Sequence, residues 1–173
     1  MASYYYLISS LPMLRTQGEP PMDYATFLSQ CRSAVSEGTY KTLEELTVRS
    51  GKGPLLSEWG EFYQSLSREL TYQRSVKLGR VCPVPSDRDS GIVQVVTAAV
   101  NAENPLEGEL LLLDLEFRRL DDMIGLHKFD EYVLYGYAMK LQLLERQRTF
   151  RYDRGKQAFD GLMDNIRQQI SSL

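Results

Sequence analysis

The chain has one histidine, one tryptophan and two cysteines among its 173 residues. A single imidazole, His127, cannot build a histidine-rich metal site, and no Glu-x-x-His spacing accompanies it. It lies in the stretch Gly125-Leu126-His127-Lys128, where a surface or capping role is the plain reading. Cys31 and Cys82 are too few for a disulfide framework or a zinc site, which points to a reducing, cytosolic compartment. Apolar runs such as Leu110–Leu113 are far too short to span a bilayer. The tyrosine-rich start, Met1 to Leu11, lacks the charged beginning and long apolar stretch of a signal peptide. A basic excess is missing as well. The net charge is −3 and the sequence pI about 5.3, which argues against non-specific nucleic-acid binding, because phosphate contacts need surplus cations.

What is present belongs to an ordinary globular chain. Hydrophobic residues make up 43% and charged residues 25%, close to the average for folded domains, so long disorder is not expected. The length suits one domain, or one domain with a small appendage.

Periodicity predicts helices over most of the chain. Tyr4–Ile8 reads either as a short strand or as a first helical turn. Gln17–Pro21, with Gly18, Pro20 and Pro21, reads as a loop. Asp23 is a candidate N-cap for a helix carrying Tyr24, Phe27, Leu28, Cys31 and Val35 and ending at Gly38. Thr39 is a candidate cap for a short helix with Tyr40, Leu43 and Leu46, ending near Gly51. From Pro54, the residues Leu55, Leu56, Trp59, Phe62, Tyr63, Leu66 and Leu70 recur at three- and four-residue steps and form one apolar stripe. Gly79 is a natural stop. The segment 81–89, with Pro83 and Pro85, reads as a linker between an N-terminal helical portion, 1–80, and a C-terminal one, 90–173, packed as one unit.

The β-branched run Ile92–Val100 favours a helix over a strand, because Ala98 and Ala99 interrupt the branching. Asn104-Pro105-Leu106-Glu107 is a strong helix start: Asn caps, Pro takes the first position, and Glu follows three residues after the cap. That helix runs to Ile124 and ends at Gly125. Asp130 opens the next, with Val133, Leu134, Tyr137, Leu141 and Leu144 facing inward. A last amphipathic stretch holds Phe159, Leu162, Met163, Ile166 and Ile170. A continuous rod from Asp130 to Ser171 would measure about 63 Å, longer than a compact chain of this size, so a break near Tyr152–Gly155 is expected.

Charge suggests how the last helices fold together. Asp87–Glu131 carries 4 basic and 11 acidic residues, whereas Tyr132–Gln157 carries 6 basic and 2 acidic. A turn at Gly125–Phe129 makes the flanking helices antiparallel neighbours. A symmetric fold there puts Glu107 near Arg148, Glu109 near Arg146 and Glu116 near Lys140.

Motifs for chemistry are sparse. Asp121 and Asp122 are consecutive and point about 100° apart on a helix, while Asp114, Arg118 and Asp122 can pair along one face. Glu58 and Glu61 flank Trp59 without a ligand histidine and read as surface carboxylates. Ser50-Gly51-Lys52-Gly53-Pro54 bears a faint likeness to a phosphate-binding turn. It lacks the Gly-x-x-x-x-Gly-Lys-Ser/Thr pattern and follows a helix rather than a strand, so nucleotide binding is not expected there. There is no Gly-x-Ser-x-Gly elbow. The basic run Arg146, Arg148, Arg151, Arg154 and Lys156 fits three uses: pairing within the hairpin, an acidic protein partner, or phosphates. The 11 tyrosines include Tyr5 and Tyr6, and a tyrosine with a buried ring and wet hydroxyl suits an interface.

Three stretches carry a resemblance. Tyr4-Tyr5-Tyr6-Leu7-Ile8-Ser9-Ser10-Leu11-Pro12 resembles the opening of a short bacterial family whose genes lie beside those for V/A-type (rotary) ATPase subunits. Tyr137-Ala138-Met139-Lys140-Leu141-Gln142-Leu143-Leu144-Glu145-Arg146 is similar to that family too, as is Gly155 followed by Phe159-Asp160-Gly161-Leu162. The resemblance implies a reduced counterpart of the rotary ATPase's stalk-seating rotor protein, an all-helical cup that places the central stalk on the membrane ring and performs no chemistry. That rotor protein is much longer and built from repeated helical modules, so one module is what fits here.

Together these readings predict an all-α helical bundle with a C-terminal antiparallel helical hairpin and either a short strand or a helical turn at the N-terminus. The expected role is a non-catalytic structural or assembly component of a V/A-type ATPase, a central-stalk or rotor adaptor. A generic helical adaptor or regulator is the alternative, and a small enzyme with a dispersed site is a third. No catalytic residue, cofactor or metal is expected. The expected partners are proteins, ATPase subunits first among them, with no nucleic acid and no membrane insertion. The chain is placed in the cytoplasm, peripheral to the inner membrane through a complex. The candidate contact residues are Arg146, Arg148, Arg151, Arg154, Lys156, Tyr5 and Tyr6.

Overall fold

Seven helices follow one another in a computed structural model that describes residues 4–148 together with Gly161 and Met163. They are α1 (Tyr5–Ser10), α2 (Tyr24–Cys31), α3 (Glu37–Glu45), α4 (Leu56–Lys77), α5 (Ser90–Asn101), α6 (Pro105–Ile124) and α7 (Glu131–Arg148). No strand occurs among the described residues. The chain is an all-α bundle. The expected break near Tyr152–Gly155 and the amphipathic stretch around Phe159–Ile170 lie outside the described residues, Met163 apart.

The N-terminal strand expected as one reading of Tyr4–Ile8 is a helix instead. Tyr4 and Leu7 are buried while Tyr5 and Tyr6 face out, a three-residue spacing that no strand produces. The Tyr4 amide donates to the Phe129 carbonyl at 2.8 Å and its hydroxyl meets Thr39 Oγ1 at 3.2 Å. These contacts anchor the first turn, and the β propensity of tyrosine yields to them.

Asp23 caps α2 as expected, accepting from the Thr26 amide at 2.7 Å. The helix ends at Cys31, short of Gly38. Ser36 rather than Thr39 caps α3, accepting from the Thr39 amide at 3.2 Å. Thr39 is therefore three residues inside the helix, and its hydroxyl is buried against Tyr4.

Helix α4 closes with a Schellman turn. Gly79 adopts φ +69°, its amide donates to the Val76 carbonyl, and the Arg80 amide donates to that of Ser75 at 2.9 Å. The proline-containing segment that follows doubles back along α4. Cys82 Sγ approaches the Tyr72 carbonyl at 3.9 Å. Arg88 lies over the Tyr72 ring and binds Glu69 through two nitrogens at 2.6 and 2.9 Å. Residues of both portions contribute to one continuous apolar core.

Ile92–Val100 is helical, with Asp89 capping α5 through the Gly91 and Ile92 amides. Asn104 caps α6 through the Leu106 amide at 3.0 Å, Pro105 is the first helical residue, and Gly125 ends the helix. Helices α5 and α6 cross closely at Gly108, where a Cβ would lie 2.5 Å from the Ala99 carbonyl oxygen.

Helix α7 sits in the middle. Leu134, Leu141 and Leu144 are buried as expected, but so are Tyr135, Ala138, Met139 and Leu143, so it is covered nearly all round rather than on one face. Its polar side chains end other elements. Gln142 Nε2 donates to the Leu46 carbonyl at 2.6 Å, closing α3. Glu145 accepts from the Tyr24 amide at 2.7 Å, at the start of α2. The Tyr137 hydroxyl donates to the Pro12 carbonyl at 3.0 Å.

The antiparallel hairpin of α6 and α7 forms, but in a different register. Arg146 binds Glu116, not Glu109, and Lys140 binds Asp121, not Glu116. The displacement at Arg146 is about two helical turns. The cause is packing. Ile124 at the end of α6 lodges against Gly136, where any Cβ would collide with it. Apolar burial contributes about 1.5–3 kcal/mol per fully buried large side chain, and Leu113, Leu120, Leu141 and Leu144 of the two helices are all buried, so the charges follow the packing.

Candidate partner-contact site

At the end of the bundle where α1 meets the α6–α7 turn, apolar side chains stand in solvent. Tyr6 is 88% exposed and Leu126 95% exposed, with Tyr5 and Phe129 partly so. The Tyr5 and Phe129 ring centroids are 4.6 Å apart, and those of Tyr5 and Tyr6 are 5.5 Å apart in an edge-on arrangement. The backbone bond from Tyr4 to Phe129 fixes both sides of the patch. Beside it the turn is stiffened: His127 Nδ1 contacts the Asp130 carboxylate, and its ring stacks on Tyr132 with centroids 4.0 Å apart. The structure thus joins the expected contact residues Tyr5 and Tyr6 to Leu126 and Phe129, which sequence reasoning did not single out. The available signal was two large apolar residues inside an otherwise polar turn.

The basic run divides. Arg146 is drawn inward, where one of its nitrogens donates to Glu116 at 2.8 Å. Glu116 is 1% exposed, and burial pushes its carboxyl up to about 7, with Arg146 pulling the other way. Arg146 is therefore part of the hairpin interior, not a free contact. Arg148 is half-buried at the end of α7. Arg151, Arg154 and Lys156 lie outside the described residues.

A cavity of about 190 Å³ adjoins this pair, with Tyr63, Arg74, Glu109, Glu116 and Arg146 around it. Two carboxylates and two guanidiniums oppose one another there: Arg74 is 3.9 Å from Glu109, and Arg146 holds Glu116. Each guanidinium there faces a carboxyl group of the chain itself. A larger, apolar recess of about 360 Å³ continues between the end of α4 and the α5–α6 corner, lined by Leu70, Leu78, Val100, Pro105 and Leu112 with Arg74 and Lys77 at its rim. Lys77 Nζ donates to the Val100 carbonyl across it.

Among the described residues, no group of three or more His, Cys, Asp or Glu side chains is placed to hold a metal ion. Cys31 is buried at the end of α2 and its thiol is pushed up to about 11 by that burial. Such a thiol carries little thiolate at neutral pH. Asp121 and Asp122 do not converge: Asp121 pairs with Lys140, and Arg118 donates to the Asp114 backbone carbonyl at 3.2 Å. Glu58 and Glu61 are exposed. No described helix is long and apolar enough to cross a membrane.

No family model matches the chain. Neither curated proteins nor solved structures yield a match.

Proposed function

We propose that the chain is a non-catalytic structural or assembly component that works by protein contact, and that its assembly is a V/A-type rotary ATPase, at the central stalk or rotor. The observation that carries the contact role is the exposed aromatic end built from Tyr5, Tyr6, Leu126 and Phe129. Apolar side chains of this size gain from being covered, and clustered aromatics anchored on a rigid frame are the usual centre of a protein interface. Helix α7, held on every side, supplies the rigid frame. The assignment to a rotary ATPase rests on the resemblance of the Tyr4–Pro12 and Tyr137–Arg146 stretches, and it makes the chain peripheral to the membrane through its partners.

The test is capture of the tagged full chain from gently solubilised native membranes, with retained proteins identified by mass spectrometry. Stoichiometric ATPase subunits that disappear when Tyr6 and Leu126 are both replaced by Ser support the reading. Capture of other proteins through the same patch replaces it with a general helical adaptor. Retention of ATPase subunits by the double variant keeps the complex and removes the aromatic end as its contact.

A further inference from the structure

A cleft of about 550 Å³ opens between the loop after α3 and the first half of α4, with Arg49 on the loop side and Tyr63, Gln64, Ser67 and Arg68 on the helix side. Its lining contains two guanidiniums and no carboxylate. Three other arginines have acids beside them: Arg74 sits by Glu109, Arg88 by Glu69 and Arg146 by Glu116. Among the described residues Arg49 and Arg68 form no ion pair, and Arg68 reaches only the Ser65 hydroxyl at 3.3 Å. The nearby acids of α4, Glu58 and Glu61, are exposed and do not line the cleft. Lys52, on the same loop, adds a further exposed cation.

The site is built rather than incidental. Trp59 is fully buried and its indole N–H donates to the Val48 carbonyl at 2.8 Å, fixing the residue before Arg49. The Ser50 amide donates to the Thr47 carbonyl at 2.8 Å, and the Thr47 amide donates to Ser50 Oγ at 2.9 Å. The loop backbone then lies directly on the helix, because a Cβ on Gly60 would come within 2.9 Å of Gly51 Cα. Two positions 19 residues apart in sequence are thereby brought to one cleft. The turn Ser50–Pro54, which on sequence grounds lacks a phosphate-binding pattern, borders it.

Guanidinium forks match phosphate oxygens in geometry and charge better than any other side chain. The volume lies within the roughly 300–1,000 Å³ of small-molecule sites. Tyr63 offers a ring, and Gln64 and Ser67 offer neutral hydrogen-bonding groups. We propose that this cleft binds a small phosphate-bearing molecule with two or more negative charges, its phosphate held by Arg49 and Arg68. The proposal is independent of the aromatic end and of the rotary-ATPase reading.

The experiment is calorimetric titration of the full chain with pyrophosphate and with ADP, followed in parallel by the fluorescence of Trp59, the sole tryptophan, whose ring centroid is 5.9 Å from that of Tyr63. Saturable binding with Kd below roughly 1 mM at about 0.1 M salt is expected. Arg49→Ala and Arg68→Ala should each weaken it about tenfold or more, a loss of one hydrogen-bonded charge contact. Both side chains are exposed, so unchanged circular dichroism and melting show that the fold is retained. Arg80→Ala, exposed and outside the cleft, should bind as the parent does. Tighter binding of ADP than of pyrophosphate identifies a nucleoside phosphate, and equal binding identifies the phosphate group alone; either supports the site. Absence of saturable binding for both probes, undiminished binding in the two cleft variants, or citrate binding as tightly as pyrophosphate overturns it.

Discussion

Arg146 on α7 donates to Glu116 on α6 at 2.8 Å, and the carboxylate it meets is all but sealed from water. The two residues join the last described helix to its antiparallel neighbour, and Glu116 depends on this one guanidinium for charge compensation. Arg146→Met is expected to lower stability by about 1–3 kcal/mol at neutral pH: without the guanidinium the buried Glu116 carboxyl takes up a proton, and the loss is that of one charged hydrogen bond. Urea unfolding of the two proteins at one pH measures it. Adding Glu116→Leu should recover most of the loss, since removing both charges also removes the desolvation cost.

Burial holds the Glu116 carboxyl at about 7 in the folded chain, against about 4.3 for an unperturbed glutamate. Between those values the folded state holds a proton that the unfolded state has released. Stability from this group therefore falls as pH rises from about 4.3 to 7 and is level above. Glu116→Gln should abolish that slope. The difference in unfolding free energy between the two proteins, followed across this range, is expected to change by on the order of 2–3 kcal/mol. A constant difference would show that Glu116 stays ionised throughout.

Gly108 allows α5 and α6 to touch through their backbones, with no room for a Cβ beside the Ala99 carbonyl. Gly108→Ala improves local helix propensity by about 1 kcal/mol but forces the helices apart. A net destabilisation of about 1–3 kcal/mol is expected, visible as a lower denaturant midpoint. A gain in stability would mean that the corner yields freely.

Tyr6 buries almost nothing, so Tyr6→Ser should leave stability within about 0.5 kcal/mol of the parent. Its effect is expected on association alone. A large loss of stability would show that the aromatic end is part of the fold rather than a contact surface.

Local signals in this sequence were readable. Asp23 and Asn104 cap as their neighbours suggest, Gly79 and Gly125 end helices, and the long apolar stripe from Leu55 is α4. What escaped depends on distance in sequence. The hairpin register follows a notch between Ile124 and Gly136, which no charge count reveals. Gln142 and Glu145 look like solvent-facing residues until the ends of α3 and α2 are placed beside them. Ser36 and Thr39 both favour helix starts, and only the burial of Thr39 against Tyr4 decides between them. At the aromatic end, Tyr5 and Tyr6 were apparent, but Leu126 and Phe129 were separated from them by most of the chain. Arg49 and Arg68 become neighbours only through Trp59 and the Gly51–Gly60 contact.

The position of α7 sets a schedule for biosynthesis. Leu46, Tyr24 and Pro12 find their hydrogen-bond partners at Gln142, Glu145 and Tyr137. A ribosome adding roughly 5–20 residues per second takes several seconds or more to deliver those partners after the first three helices have been made. During that interval Phe27 and Leu43, fully buried at the end, have only the neighbouring N-terminal helices and Tyr24 to rest against. The N-terminal third therefore reaches its final packing only after α7 has been made.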